Sequence, residues 1–342
     1  MKLTAALALI VAALLAGAPP FDWGDSAEEG DSPDFETSRA LCRSLRESEP
    51  PAAHRPSPRQ TAALRGCDSE ALYYGIGRAA DPVRARHCAF LEAEREDAPM
   101  LGGRVMLMTI YANGAGVERD LDVATHLACG IEGAPMESHG RVTRLAELKE
   151  SGWAGSDFHF CGNVTSGLAT GHCAGHEARI AGARRAARLD RLIAPWSPRQ
   201  KIALAPLRQA HAAYVEAHGA GEVDLTGTMR GALQIGAEEA LRDQFLVMLE
   251  RLDSGRAPFG SRAEFQAADR ALNEAYREAL RADYSGPPGA VTREGIRAAQ
   301  RAWLGYRDAF LRFAAVKYPR VSRDSLAIWL TRQRTELLRE EE

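Results

Sequence analysis

The chain has 342 residues, with 43 Lys and Arg against 46 Asp and Glu and a formal net charge of -3. That balance gives no overall basic footprint, so no nucleic-acid partner is expected. The length exceeds what one small core needs and suits two or three modules. Apolar residues make up 45% of the chain, and much of that share is alanine. Alanine and arginine favour helices, Val, Ile and Thr are sparse, and no segment alternates with period two, so the composition predicts an all-α fold.

The N-terminus reads as an export signal. Lys2 precedes an apolar run over residues 3–15, broken only by Thr4, and the small residues Ala16, Gly17 and Ala18 follow. Such a run is too short to cross a hydrocarbon core of about 30 Å, so residues 1–18 are expected to be a removable signal peptide and not a permanent membrane anchor. Ala18 stands where a lipoprotein signal would carry cysteine. The expected location is therefore periplasmic or secreted. Residues 19–60 are acidic and rich in Pro, Gly and Ser, which predicts a flexible segment with one short helix around 39–46.

From Thr61 the sequence repeats. The stretches EALYYGIGRAADPVRARHC and MTIYANGAGVERDLDVATHLAC share one plan: an apolar helix ending near Tyr, a glycine-bearing loop, an Asp, and a second helix. Tyr74 corresponds to Tyr111, Asp81 to Asp120 and Ala85 to Ala124, a period of about 39 residues. Gly114 and Gly116 suit a tight turn with positive φ, the aspartates suit N-caps, and the alanines let helices approach closely. ANGAGVERDLDVA resembles the signature of Sel-one-like repeats, relatives of the tetratricopeptide repeat. The resemblance covers residues 61–150 and implies stacked helix pairs that serve as a protein-interaction scaffold.

A second, more diverged duplication occupies the rest. LRQAHAAYVEAH from Leu207 aligns with IRAAQRAWLGYR from Ile296, and similar segments flank both. This predicts two small antiparallel helical bundles, at 155–254 and 259–342. In the second middle helix Ile296, Ala299, Trp303, Tyr306, Phe310 and Phe313 recur at helical spacing and share a face. The pattern ADRALNEAYREAL, IRAAQRAWLGYRDAF and TRQRTELL resembles the lysozyme inhibitor LprI family, exported helical domains that usually carry disulfides. Its matching positions are Asp269, Leu272, Asn273, Tyr276, Gln300, Trp303, Tyr306, Arg307 and Arg334. The second copy departs from the family in having no cysteine, whereas CGNVTSGLATGHCAGHEA supplies the first copy with two.

Six cysteines in an exported chain read as three disulfides. Cys161 and Cys173 close a short loop, Cys67 and Cys88 lie symmetrically about a turn near Gly77, and Cys42 is left for Cys129. His172 and His176 beside Cys161 and Cys173 could imitate a zinc set, but the spacing and the compartment favour a disulfide, so no metal is expected.

Catalytic signatures are thin. The chain has no nucleophile elbow, phosphate loop or dinucleotide fingerprint, and His176-Glu177-Ala178-Arg179-Ile180 lacks the second histidine of a zincin helix. Asp269, Glu274 and Glu278 read as structural or solvated acids and not as a glycosidase pair. Trp303, Tyr306 and Arg307 form the candidate interaction cluster, since arginine beside aromatic rings anchors many interfaces. The competing reading puts both rings in the core and pairs Arg307 with an acid. The expectation is a non-catalytic protein without cofactor that binds another envelope protein. Lysozyme inhibition is the alternative that the LprI resemblance implies, and a peptidoglycan-acting enzyme is a remote third.

Overall fold

A computed structural model describes residues 20–26, 31–95, 97, 99–282 and 284–340; the expected signal peptide lies outside them. Among the described residues there are thirteen α-helices and no strand. The fold is all-α, and no described helix is long and apolar enough to cross a membrane. The chain divides into two compact units, Met1–Thr165 and Ser166–Glu342.

The N-terminal unit holds α1 (Phe35–Ser44), the short α2 (Pro58–Ala63) and α3 (Ser69–Tyr74), then α4 (Pro82–Ala93), α5 (Gly103–Asn113), α6 (Leu121–Cys129) and α7 (Pro135–Glu150). Side chains start most of them. Asp81 accepts from the Arg84 amide, and Asp120 accepts from the amides of Asp122 and Val123. Helices α3 and α5 both end at a left-handed glycine, Gly75 and Gly114. In both, the capping aspartate donates its own amide back to the helix before it: Asp81 to the Leu72 carbonyl at 2.8 Å, Asp120 to that of Tyr111 at 3.1 Å. Gly116 has φ of 74°, and a Cβ there would lie 2.6 Å from the Pro82 backbone, so only glycine fits this crossing. Sandwiched between α4 and α6, α5 is buried along nearly its whole length, which is why it is apolar on every face.

Part of the stretch read as flexible over 19–60 is packed: Trp23, Phe35, Ser38, Arg39 and Cys42 are buried, whereas no residue of 48–60 is. Trp23 is buried, donates its Nε1–H to Ser38 Oγ at 2.8 Å, and lies under the Arg39 guanidinium at 4.4 Å. Phe35 meets Trp23 edge-on at 5.5 Å. Two aromatic anchors set apart in an acidic, proline-rich stretch make no periodic signal, so the composition hides them.

Cys42 is bonded to Cys129, tying α1 to the end of α6, and Cys67 is bonded to Cys88 across the α3–α4 pair. Cys161 and Cys173 are also disulfide-bonded, and no cysteine is free.

The C-terminal unit holds α8 (Gly167–Ile193), α9 (Pro198–Gly221), α10 (Arg230–Asp253), α11 (Arg262–Ala279), α12 (Arg293–Lys317) and α13 (Arg323–Glu340). At its centre α9 and α12 run antiparallel. Gly221 approaches Gly295 so closely that a Cβ on Gly221 would sit 2.8 Å from the Gly295 Cα, and at the far end Trp196 meets Phe313 at 5.8 Å. Helix α8 packs on α10, and α11 packs on α13. One core serves all six: Leu207, Tyr214 and Phe245 from the first three helices interlock with Ile296, Trp303 and Phe310 from the last three. The apolar stripe of each middle helix is thus buried against the other half.

Loop-closure entropy makes the bridge spanning 87 residues the stronger constraint on the unfolded chain, compared with the one spanning 21. Replacing Cys42 and Cys129 by serine should lower unfolding stability by about 4 kcal/mol, and replacing Cys67 and Cys88 by about 3 kcal/mol. Urea titrations of the two double variants measure both the size and the order.

Candidate functional site

The family-like positions of the second middle and final helices converge inside the C-terminal unit. Arg334, with no exposed side-chain surface, donates Nη1–H to Glu222 Oε2 at 2.8 Å and bonds Glu222 Oε1 through Nη2. Its Nε–H donates to Gln300 Oε1 at 2.9 Å, and its guanidinium faces the Tyr214 ring at 5.8 Å. His218 places Nδ1 2.8 Å from Glu222 Oε2, one turn earlier on α9. Burial alone would raise the Glu222 carboxyl, but the hydrogen bonds from His218 and Arg334 hold it below the usual carboxylate range. The carboxylate therefore stays charged and neutralises the buried arginine.

Of the other motif positions, Leu272 is in the core and Tyr276 packs against it. Asp269 stays on the surface of α11, accepting from Asn273 Nδ2 at 3.2 Å. Glu222 escaped the sequence reading. It lies 112 residues from Arg334, and no local pattern distinguishes it from the many solvated acids of the chain.

Breaking a buried pair on one side strands a charge and costs about 3–5 kcal/mol, whereas replacing both partners with apolar groups costs far less. Glu222→Leu and Arg334→Met should each destabilise by that amount alone, and the double variant should regain most of the loss. Urea unfolding of the four proteins closes this cycle.

Trp303 and Tyr306 are core residues, 2% and 5% exposed. Tyr306 stacks on Tyr214 at 5.8 Å, and burial raises its hydroxyl far above the ordinary range. Arg307 is half-buried, with its guanidinium over the Trp303 ring at 5.4 Å and bonded to Asp308 Oδ1 at 2.9 Å. Of the three, Arg307 alone presents a polar group at the surface.

A groove of about 610 Å³ runs between α8, α9 and α10. Leu189, Val215 and Phe245 form its floor, and Arg185, Arg208 and Glu238 stand on its sides. Arg185 is already engaged, with Glu239 and with Asp243 at 2.9 Å. His211 lines the groove, stacked on Phe245 at 4.3 Å with Nε2 3.2 Å from the Leu241 carbonyl, to which it donates. Burial pushes this imidazole down to about 4, against the partial upward effect of that hydrogen bond. The groove offers apolar contact and charge, while its one imidazole is neutral near pH 7 and committed to the backbone.

In the unfolded chain His211 titrates near the ordinary histidine value of 6.5. Between pH 6.5 and 4 the unfolded state therefore holds the extra proton, so stability is fully present above this window and is lost as pH falls through it. His211→Phe should flatten the loss between pH 7 and pH 4 by up to about 3 kcal/mol, read from urea midpoints at several pH values.

The cysteine and histidine clusters are structural. Cys161 and Cys173 are disulfide-bonded, which removes the thiols from any zinc set with His172 and His176. Cys67, Cys88 and Glu92 lie together in α3–α4, but the sulfurs are joined and the Glu92 carboxylate accepts from the amides of Ser69 and Gly103 at 3.0 and 2.9 Å.

The geometry defines a disulfide-bonded, all-helical protein whose C-terminal unit is organised around a buried arginine–glutamate pair. Residues 261–338 match the family model described as lysozyme inhibitor LprI, a span that includes α11, α12 and most of α13. No curated protein and no solved structure matches the chain. The disulfides and this family match fit an extracytoplasmic protein.

Proposed function

We propose that the protein is an exported, non-catalytic inhibitor of a lysozyme-type muramidase, acting by binding the enzyme. The observation that carries this reading is the match of 261–338 to the lysozyme inhibitor family. It is supported by the two motif residues Gln300 and Arg334, which meet in the core and hold the matched helices rigidly. We assign the contact surface to the exposed side of α12 around Arg307, since Trp303 and Tyr306 serve the core beneath it. The antiparallel pairing of α9 with α12 supports a further part of the reading: 155–254 and 259–342 are two LprI-like copies fused into one body.

A second reading, an adaptor for another envelope protein, draws on the N-terminal unit. Its helix pairs over 61–150 are assigned to the Sel-one-like class, and a groove of about 690 Å³ between α1, α6 and α7 offers Leu41, Leu45 and Ala146 to a partner. Both readings keep residues 1–18 as the export signal.

Turbidity clearing of cell walls by several lysozyme types, with the purified protein titrated to micromolar concentration, separates the two. Slowing of at least one enzyme, weakened several-fold by Arg307→Ala, is the expected result. Unchanged clearing with every enzyme, together with no complex on gel filtration, would remove inhibition and leave the adaptor reading.

A further inference from the structure

The near-neutral chain hides a strong separation of charge. Unit Met1–Thr165 contains 16 Lys and Arg against 24 Asp and Glu, so Ser166–Glu342 carries 27 against 22 of the 43 and 46 in the whole chain. Within the C-terminal unit this surplus sits at one end. The α8–α9 turn, the α10–α11 loop and the α12–α13 turn meet there. Lys317 Nζ lies 2.9 Å from Asp253 and 4.6 Å above the Trp196 ring, Tyr318 bonds Asp253, and Ser325 Oγ donates to the Gly260 carbonyl at 3.2 Å. Residues 188–201, 247–264 and 312–324, which build this end, hold eleven basic and five acidic side chains. At the opposite end, where the Leu225 amide bonds the Gly289 carbonyl at 2.8 Å, residues 216–232 and 274–297 hold five basic and seven acidic.

At the tip of the basic end, in the loop between α10 and α11, Phe259 is 97% exposed. Among the described residues no other phenylalanine, tyrosine or tryptophan is exposed. Its neighbours are Gly255, Arg256, Pro258 and Gly260, and Arg262, Arg320 and Arg323 are exposed around the same end. A ring fully in water costs free energy that only an apolar medium relieves. The core of a protein interface is a contiguous, well-packed patch rather than a single projecting ring. Phe259 is instead a lone ring on a glycine-flanked loop, at an end where Arg256, Arg262, Arg320 and Arg323 are exposed. An aromatic ring at the acyl boundary with basic groups at the headgroups is the arrangement by which peripheral proteins meet acidic bilayers.

We propose that the basic end of the C-terminal unit docks reversibly on a lipid bilayer carrying anionic headgroups, with Phe259 inserted at the interface and the surrounding arginines on the lipid phosphates. The contact is peripheral, and it is independent of lysozyme binding. It would hold the protein at a membrane surface.

Co-sedimentation of the purified full chain with phosphatidylcholine vesicles, with and without phosphatidylglycerol, tests this. Binding should require phosphatidylglycerol and fall as salt is raised. Each basic side chain contributes about fivefold at an anionic surface, so Arg320→Glu with Arg323→Glu should weaken binding by at least about 25-fold. Phe259→Ala should weaken it by about tenfold. Arg277→Glu with Arg281→Glu, at the other end, should leave it unchanged, and thermal melts report whether every variant is folded. Binding to neutral vesicles equal to that to acidic ones overturns the proposal, as does no binding to either. Acidic-vesicle binding that ignores Phe259 and is competed fully by soluble dextran sulfate also overturns it, in favour of a soluble polyanion.

Discussion

A guanidinium with no exposed surface keeps its charge and so needs polar partners in the core, best of all a carboxylate, and that constraint organises the C-terminal unit. Arg334 is such a group, and the carboxylate that answers it is Glu222, at the end of α9. The pair fixes the register between the last helix of the chain and a helix more than a hundred residues earlier. His218 and Gln300 complete the hydrogen bonds, so the centre is polar but satisfied. Around it the apolar stripes of α9 and α12 face one another, and the outer pairs α8–α10 and α11–α13 close the sides.

This arrangement changes the meaning of the family match. The matched span, 261–338, contains Arg334 and Gln300 but not Glu222. Taken alone it would hold a buried cation without its anion and would expose the stripe of Ile296, Trp303 and Phe310. The segment that resembles an inhibitor is therefore half of a larger folded body, and α9 covers part of its surface. This is why Trp303 and Tyr306, the rings that look like interface anchors in the sequence, are core residues.

The two units solve the stability problem differently. The C-terminal one relies on long helices and a continuous aromatic core. The N-terminal one has short helices, two of them, α2 and α3, of only six residues, and compensates with caps, left-handed glycines and the bridges Cys42–Cys129 and Cys67–Cys88. Charge separates along the same division, acidic in the first unit and basic in the second, so the modest net charge of the whole chain describes neither.

Helical class was legible in the sequence because alanine, arginine and the three-and-four spacing of Ile296 through Phe313 act locally, and local propensity survives whatever the tertiary context. The even cysteine count pointed to three bridges for an equally local reason, the pairing chemistry of thiols in an oxidising compartment. The LprI likeness of the last helices was carried by contiguous motifs. The burial of Trp23 and Phe35 in an acidic, proline-rich stretch was not legible, since isolated anchors leave no period. Nor was the choice of Glu222 as partner to Arg334, or the gathering of three separate turns and Phe259 at one end. Those depend on which distant surfaces meet, and only the packing of α9 against α12 decides that, because burial and charge neutralisation are properties of places in space and not of positions along the chain.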